Sequence, residues 1–89
     1  MLIEKNLSFA KLKITIYDFE NKGDELEAHS HKEGATHIST CSRGSVLVIT
    51  DEWSKTLESG DIIEFFADQN HAIVALEDNS RIVNIPKYG

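Results

Sequence analysis

Short apolar stretches of roughly five to seven residues, each closed by a turn signal, recur along the chain and leave little room for helix. Leu12, Ile14 and Ile16 alternate with Lys11, Lys13 and Thr15, a period of two that marks a half-buried strand. Asn21-Lys22-Gly23-Asp24 turns the chain, and Glu25 to His31 is extended. Lys32-Glu33-Gly34 turns it again into Ala35 to Cys41. After Ser42-Arg43-Gly44 comes a run apolar on both faces, with Val46, Leu47, Val48 and Ile49, which Asp51-Glu52 ends. Trp53 to Leu57, Asp61 to Phe66, Asn70 to Leu76 and Arg81 to Ile85 follow, divided by Ser59-Gly60-Asp61, Ala67-Asp68-Gln69 and Glu77-Asp78-Asn79-Ser80. About eight short strands at near-regular spacing predict an all-β sandwich or barrel.

The 89 residues allow one domain, 1–89, with a small core. Nine Lys and Arg stand against fifteen Asp and Glu, a formal charge of −6. That balance excludes nucleic acid or an anionic membrane as the main partner, since either needs a basic patch. No segment is apolar for long enough to span a bilayer. Cys41 is the only cysteine and makes no intrachain disulfide, and Glu4, Lys5 and Asn6 stand where a secretory signal needs its apolar run. A cytoplasmic protein is the expectation. A homodimer is expected too, because a sandwich this small leaves sheet edges and an apolar outer face to cover.

The four histidines are the chemistry-bearing residues. His29 and His31 lie two apart on a predicted strand, so both point to one face with Cα atoms roughly 6.6 Å apart. His37 opens the next strand, and His71 opens one much later in the chain. His-x-His alone is a weak signal, because a strand histidine is commonly just solvated or hydrogen-bonded. The remaining spacing gives it weight. His37 is reached from His31 through five residues and is followed by six before Gly44. Gly60-Asp61 leads through the hydrophobic Ile62, Ile63, Phe65 and Phe66 to His71.

Together these segments resemble the two sequence motifs of the cupin superfamily, from Glu25 to about Ile85. The Gly60-to-His71 distance fits the family without a gap. His37 stands where the family usually carries Glu, and a bulge at the start of its strand would deliver it there. The alternative frame puts Thr36 in that position. Phe66 and Asp68 replace the family's Pro and Gly, and Ala75 replaces its Asn. The resemblance implies an RmlC-like jelly-roll barrel of about eight strands. It also implies an interior site with an open mouth, in which His29, His31, His37 and His71 hold one divalent transition metal per chain, Fe, Zn, Ni or Mn.

Such a ligand set carries no charge and leaves the ion its full positive charge, which favours anionic or enolate-like oxygen ligands. In tetrahedral Zn four histidines close the shell; in an octahedral ion they leave room for substrate. The expected function is a metal-dependent enzyme on a small oxygen-rich metabolite, a dioxygenase first and an isomerase or lyase second. The alternatives are a non-catalytic binding module for a small ligand or metal, and a structural dimer without chemistry. Glu27 shares the face of His29 by strand alternation and is the candidate general base, against the plainer reading of a solvated acid at the barrel mouth. Glu64 alternates with Ile62 and Phe66 and reads as solvent-facing, with a pocket carboxylate as the alternative. Cys41 lies roughly 13 Å along the strand from His37, too far to join its ion, and reads as a buried core residue.

Overall fold

The computed structural model describes residues 1–9, 12–29, 36–66 and 70–87. Within them run nine strands: β1 (Leu2–Phe9), β2 (Leu12–Phe19), β3 (Glu25–His29), β4 (Thr36–Arg43), β5 (Ser45–Thr50), β6 (Ser54–Glu58), β7 (Ile62–Phe66), β8 (His71–Ala75) and β9 (Ser80–Lys87). The eight segments read as extended each contain one. The addition is β1, whose mixed residues carry no clear apolar period and which is held by pairing along its whole length with β2. No described residue is helical.

The strands form two antiparallel sheets, one of order β1-β2-β9-β4-β7 and one of order β3-β8-β5-β6. Tyr17, Phe19, Cys41 and Ile82 from the first sheet join Val46, Val48, Leu57, Ile73 and Ala75 from the second in one buried cluster. Leu2, Leu26, Trp53 and Ile63 pack around it.

One end of the sandwich is closed. Gly44, at φ +72°, turns the chain from β4 in one sheet into β5 in the other. An L-residue is strained there, and glycine is not. Beside it the fully buried Ser80 hydroxyl accepts from the Ser45 N–H at 3.2 Å and lies within hydrogen-bond distance of the Ser45 and Glu77 carbonyls. Leu76 N–H donates to the Ser45 carbonyl at 2.9 Å.

Towards the other end the inner face of the five-stranded sheet turns from apolar to polar. On β9, Ser80, Ile82 and Asn84 are buried, whereas Val83 and Ile85 are only half-buried. On β4, His37, Ser39 and Cys41 are buried and Ile38 is half-buried. On β2 the core takes Tyr17 and Phe19, whose face also carries Thr15. The period-two set Ile14 and Ile16 therefore marks a strand but lies on the outer face, where Ile16 is in register with Val83.

Candidate functional site

The histidines expected to converge come from both sheets. His71 opens β8, is 2% exposed, and pairs with Thr50 at the end of β5 farthest from Ser45. His37 is the second residue of β4, also buried, and pairs with Pro86 on β9 and Phe65 on β7. Both therefore lie at the end of the sandwich opposite the Gly44 corner. His29 ends β3 and is in backbone register with His71. His31 lies outside the described residues, as does the position of the His29 side chain. Among the described residues no set of three or more His, Cys, Asp and Glu side chains converges.

The wall next to His37 is polar and ordered by register. Asn6, Thr15, Asn84, Ser39 and Ile63 occupy one rung across β1, β2, β9, β4 and β7. Thr15 Oγ1 donates to Asn6 Oδ1 at 2.9 Å. Ser39 Oγ donates to Asn84 Oδ1 at 2.8 Å, and Asn84 Nδ2 lies 2.9 Å from His37 Nδ1. Ser39, Asn84 and His37 are all buried, so each polar group needs its partner there. Asn84 escapes a reading of periodicity because it sits between Val83 and Ile85 in a segment that looks like plain core. An amide inside such a run was the signal available.

One rung deeper the wall becomes inert. Burial, with Glu4 in register across the sheet, pushes the Tyr17 phenol above its ordinary range. Burial likewise raises the Cys41 thiol, which donates weakly to the Arg43 and Gly44 carbonyls at 3.3 and 3.4 Å. Cys41 is fully buried and behaves as the core residue the sequence suggested.

Glu27 does not share a regular alternation with His29. Leu26 pairs with Ile73 and His29 with His71, so three steps along β3 match two along β8. This bulge breaks the parity that put Glu27 on the face of His29, and the Glu27 side chain is exposed. On β4 the described register runs regularly from Thr36 to Cys41 and shifts only between Cys41 and Arg43. Glu64, opposite Ile38, is exposed as expected.

A two-sheet antiparallel jelly roll with buried histidines and a polar wall at one end is the class of protein this architecture defines. The chain has the RmlC-like cupin fold. It superposes on an RmlC-like cupin protein from Desulfovibrio desulfuricans with a TM-score of 0.83 at 20% identity, covering 96% of this chain and 81% of that one. It matches KdgF from Halomonas sp. with a TM-score of 0.83 at 20% identity, covering 99% and 80%. It also matches the cupin domain of an XRE family transcriptional regulator from Enterobacter cloacae, with a TM-score of 0.83 at 18% identity, covering 99% and 97%. No family model and no curated protein matches the sequence. At these identities the likeness is one of fold, and a fold does not by itself carry an activity.

Proposed function

We propose that this cupin binds one divalent transition metal through His29, His31, His37 and His71 and acts on a small oxygen-rich metabolite. The observation that carries this reading is the polar end of the five-stranded sheet's inner face. Ser39, Asn84 and His37 are buried there beyond the core residues Tyr17, Cys41 and Ile82, while Ile14, Ile16, Val83 and Ile85 are half-buried on the other face. Their mutual hydrogen bonds offset the cost of burial, and a few convergent polar groups on an otherwise apolar wall are the usual lining of a small-ligand site.

The donor set fits a metal. Neutral imidazoles suit Fe, Zn, Ni and Mn, and two of the four are buried at the same end of the barrel. A bound ion would supply Lewis-acid or redox chemistry to substrate oxygens. The chain's own contribution is orientation, with Asn84, Ser39 and Thr15 offering hydrogen bonds along one wall. Tyr17 and Cys41, held protonated below it, take no proton from substrate. With Glu27 and Glu64 both exposed, neither carboxylate is placed as a buried base. That ranks O₂ chemistry, which asks little of side chains, above isomerase or lyase chemistry.

The same exposure of Glu27 and Glu64 favours a second reading, a non-catalytic module that binds a metal or small ligand. The fold shared with the cupin domain of a transcriptional regulator supports it. In either reading the protein works in the cytosol, where a lone cysteine stays reduced, as a homodimer joined through its aliphatic outer face.

Metal content by mass spectrometry on untagged, chelator-free protein tests the site. About one transition metal per chain, lost when His29 and His71 are both changed to alanine, supports it. No metal after reconstitution with Fe, Ni, Mn and Zn removes it and leaves the ligand-binding module.

A further inference from the structure

The Ser39–Asn84–His37 chain has a consequence for the ligand set. The Ser39 hydroxyl donates to Asn84 Oδ1 at 2.8 Å. In this arrangement the Asn84 amide nitrogen faces His37 Nδ1, at 2.9 Å. An amide NH₂ only donates, so Nδ1 accepts. In a neutral imidazole the ring proton then sits on Nε2, which cannot ligate a metal while it carries that proton. The other nitrogen, Nδ1, is occupied by Asn84.

A serine hydroxyl accepts as well as it donates. If the Asn84 amide turns over, Nδ2 donates to Ser39 Oγ and Oδ1 accepts from His37 Nδ1–H. The Ser39–Asn84 and Asn84–His37 hydrogen bonds are kept in both arrangements, so the turn breaks neither. Only the second arrangement leaves a lone pair on Nε2. Metal-bound histidines characteristically donate their other ring N–H to an oxygen in this way.

We propose that Asn84, anchored by Ser39, is a positioning residue that selects the tautomer of His37. The metal-free protein holds Nε2–H, and turnover of the amide converts His37 into an Nε2 ligand. The second half rests on the metal reading above; the first half does not.

The test is long-range ¹H–¹⁵N correlation spectroscopy of the histidine rings at pH 8, with His37 assigned by its loss in His37→Gln. The metal-free parent is expected to show Nε2–H at His37, and Zn²⁺ is expected to move the proton to Nδ1. Asn84→Asp, which can only accept, is expected to hold Nδ1–H without metal and to bind Zn²⁺ more tightly than the parent. Asn84→Ala is expected to lose the preference and to bind Zn²⁺ more weakly, by about 10-fold as for loss of a partner behind a ligand. Finding Nδ1–H in the metal-free parent overturns the proposal, and this arm needs no variant to fold. An unchanged tautomer in Asn84→Ala overturns it too. If the parent takes up no Zn²⁺, the metal reading and the turnover both fall, and an Nε2–H signal in that same sample shows the failure to be theirs alone.

Discussion

His29 on β3 stands in register with His71 on β8 only because a bulge intervenes between Leu26 and His29. Leu26 pairs with the buried Ile73, and regular pairing from there would put Ala28, not His29, opposite His71. The extra residue brings the two histidines opposite each other. Inserting an alanine between Ala28 and His29 sets four steps of β3 against two of β8, more than a one-residue bulge absorbs, and is expected to shift His29 out of register. Zn²⁺ affinity measured by competition with a chelating dye is then expected to fall by more than about 10-fold, the loss typical of a mere supporting partner. The far-UV spectrum should keep its β signature. Unchanged affinity would show that the register does not build the site.

A carboxylate on the outer face sets the response to acid. Arg81 donates to both oxygens of Asp18, at 2.6 and 3.1 Å, and Lys5 and Arg43 stand 3.4 Å away. The hydrogen bond from Arg81, above all, holds the Asp18 carboxyl below its ordinary range, against the opposing effect of burial. Asp18 therefore stabilises the fold fully above its unfolded pKa of about 3.9 and loses that contribution as pH falls through the lower folded value. Asp18→Asn is expected to cost on the order of 2 kcal/mol at pH 7 in urea unfolding, as for hydrogen bonds to a charged group. The gap between variant and parent should close below about pH 4. A gap that persists undiminished in acid would assign the loss to packing.

Most of this fold could be read from turn chemistry and short apolar runs, because every such run had to be a strand. The facing of the strands could not. Alternation in Leu12, Ile14 and Ile16 says that one face is apolar, not that this face is inside, and the sheet places Ile14 and Ile16 outward while Tyr17 and Phe19 fill the core. That His37 and His71 lie at one end of the sandwich could be expected from spacing, because β4 and β8 belong to the two sheets that a jelly roll packs together. Asn84 was not, because its meaning lies in its neighbours on β4, far away in sequence. The face of Glu27 relative to His29 could not be counted from the sequence for a third reason, since period-two counting does not survive a bulge.

Two glycines separate backbone strain from crowding. Gly44 and Gly23 both have positive φ, +72° and +92°. A methyl group at Gly23 would meet nothing within 4 Å, whereas one at Gly44 would lie 2.9 Å from the Ser80 backbone Cα. Gly23→Ala is expected to cost only the left-handed conformation, about 1–2 kcal/mol. Gly44→Ala should cost that plus overpacking at the closed end, roughly 1–3 kcal/mol more. Thermal unfolding of the two variants measures the difference. Equal losses would mean that the corner relaxes freely around Ser80.

The outer face of the five-stranded sheet also predicts how the chain assembles. Lys5, Ile16, Val83, Thr40 and Ile62 form one outward rung from β1 to β7, with Leu7 beside Ile14 and Ile38 beside Ile85. Ile62 is 64% exposed and Leu7 41%, a broad aliphatic surface for a chain whose formal charge of −6 would otherwise keep copies apart. Light scattering is expected to give twice the chain mass. Val83 lies at the centre of that face on a strand paired from both sides, so Val83→Glu should yield a monomer that keeps its β spectrum. A parent already monomeric at working concentration would leave the outer aliphatics without a role in self-association. A dimer that survives Val83→Glu would place the contact at a sheet edge instead.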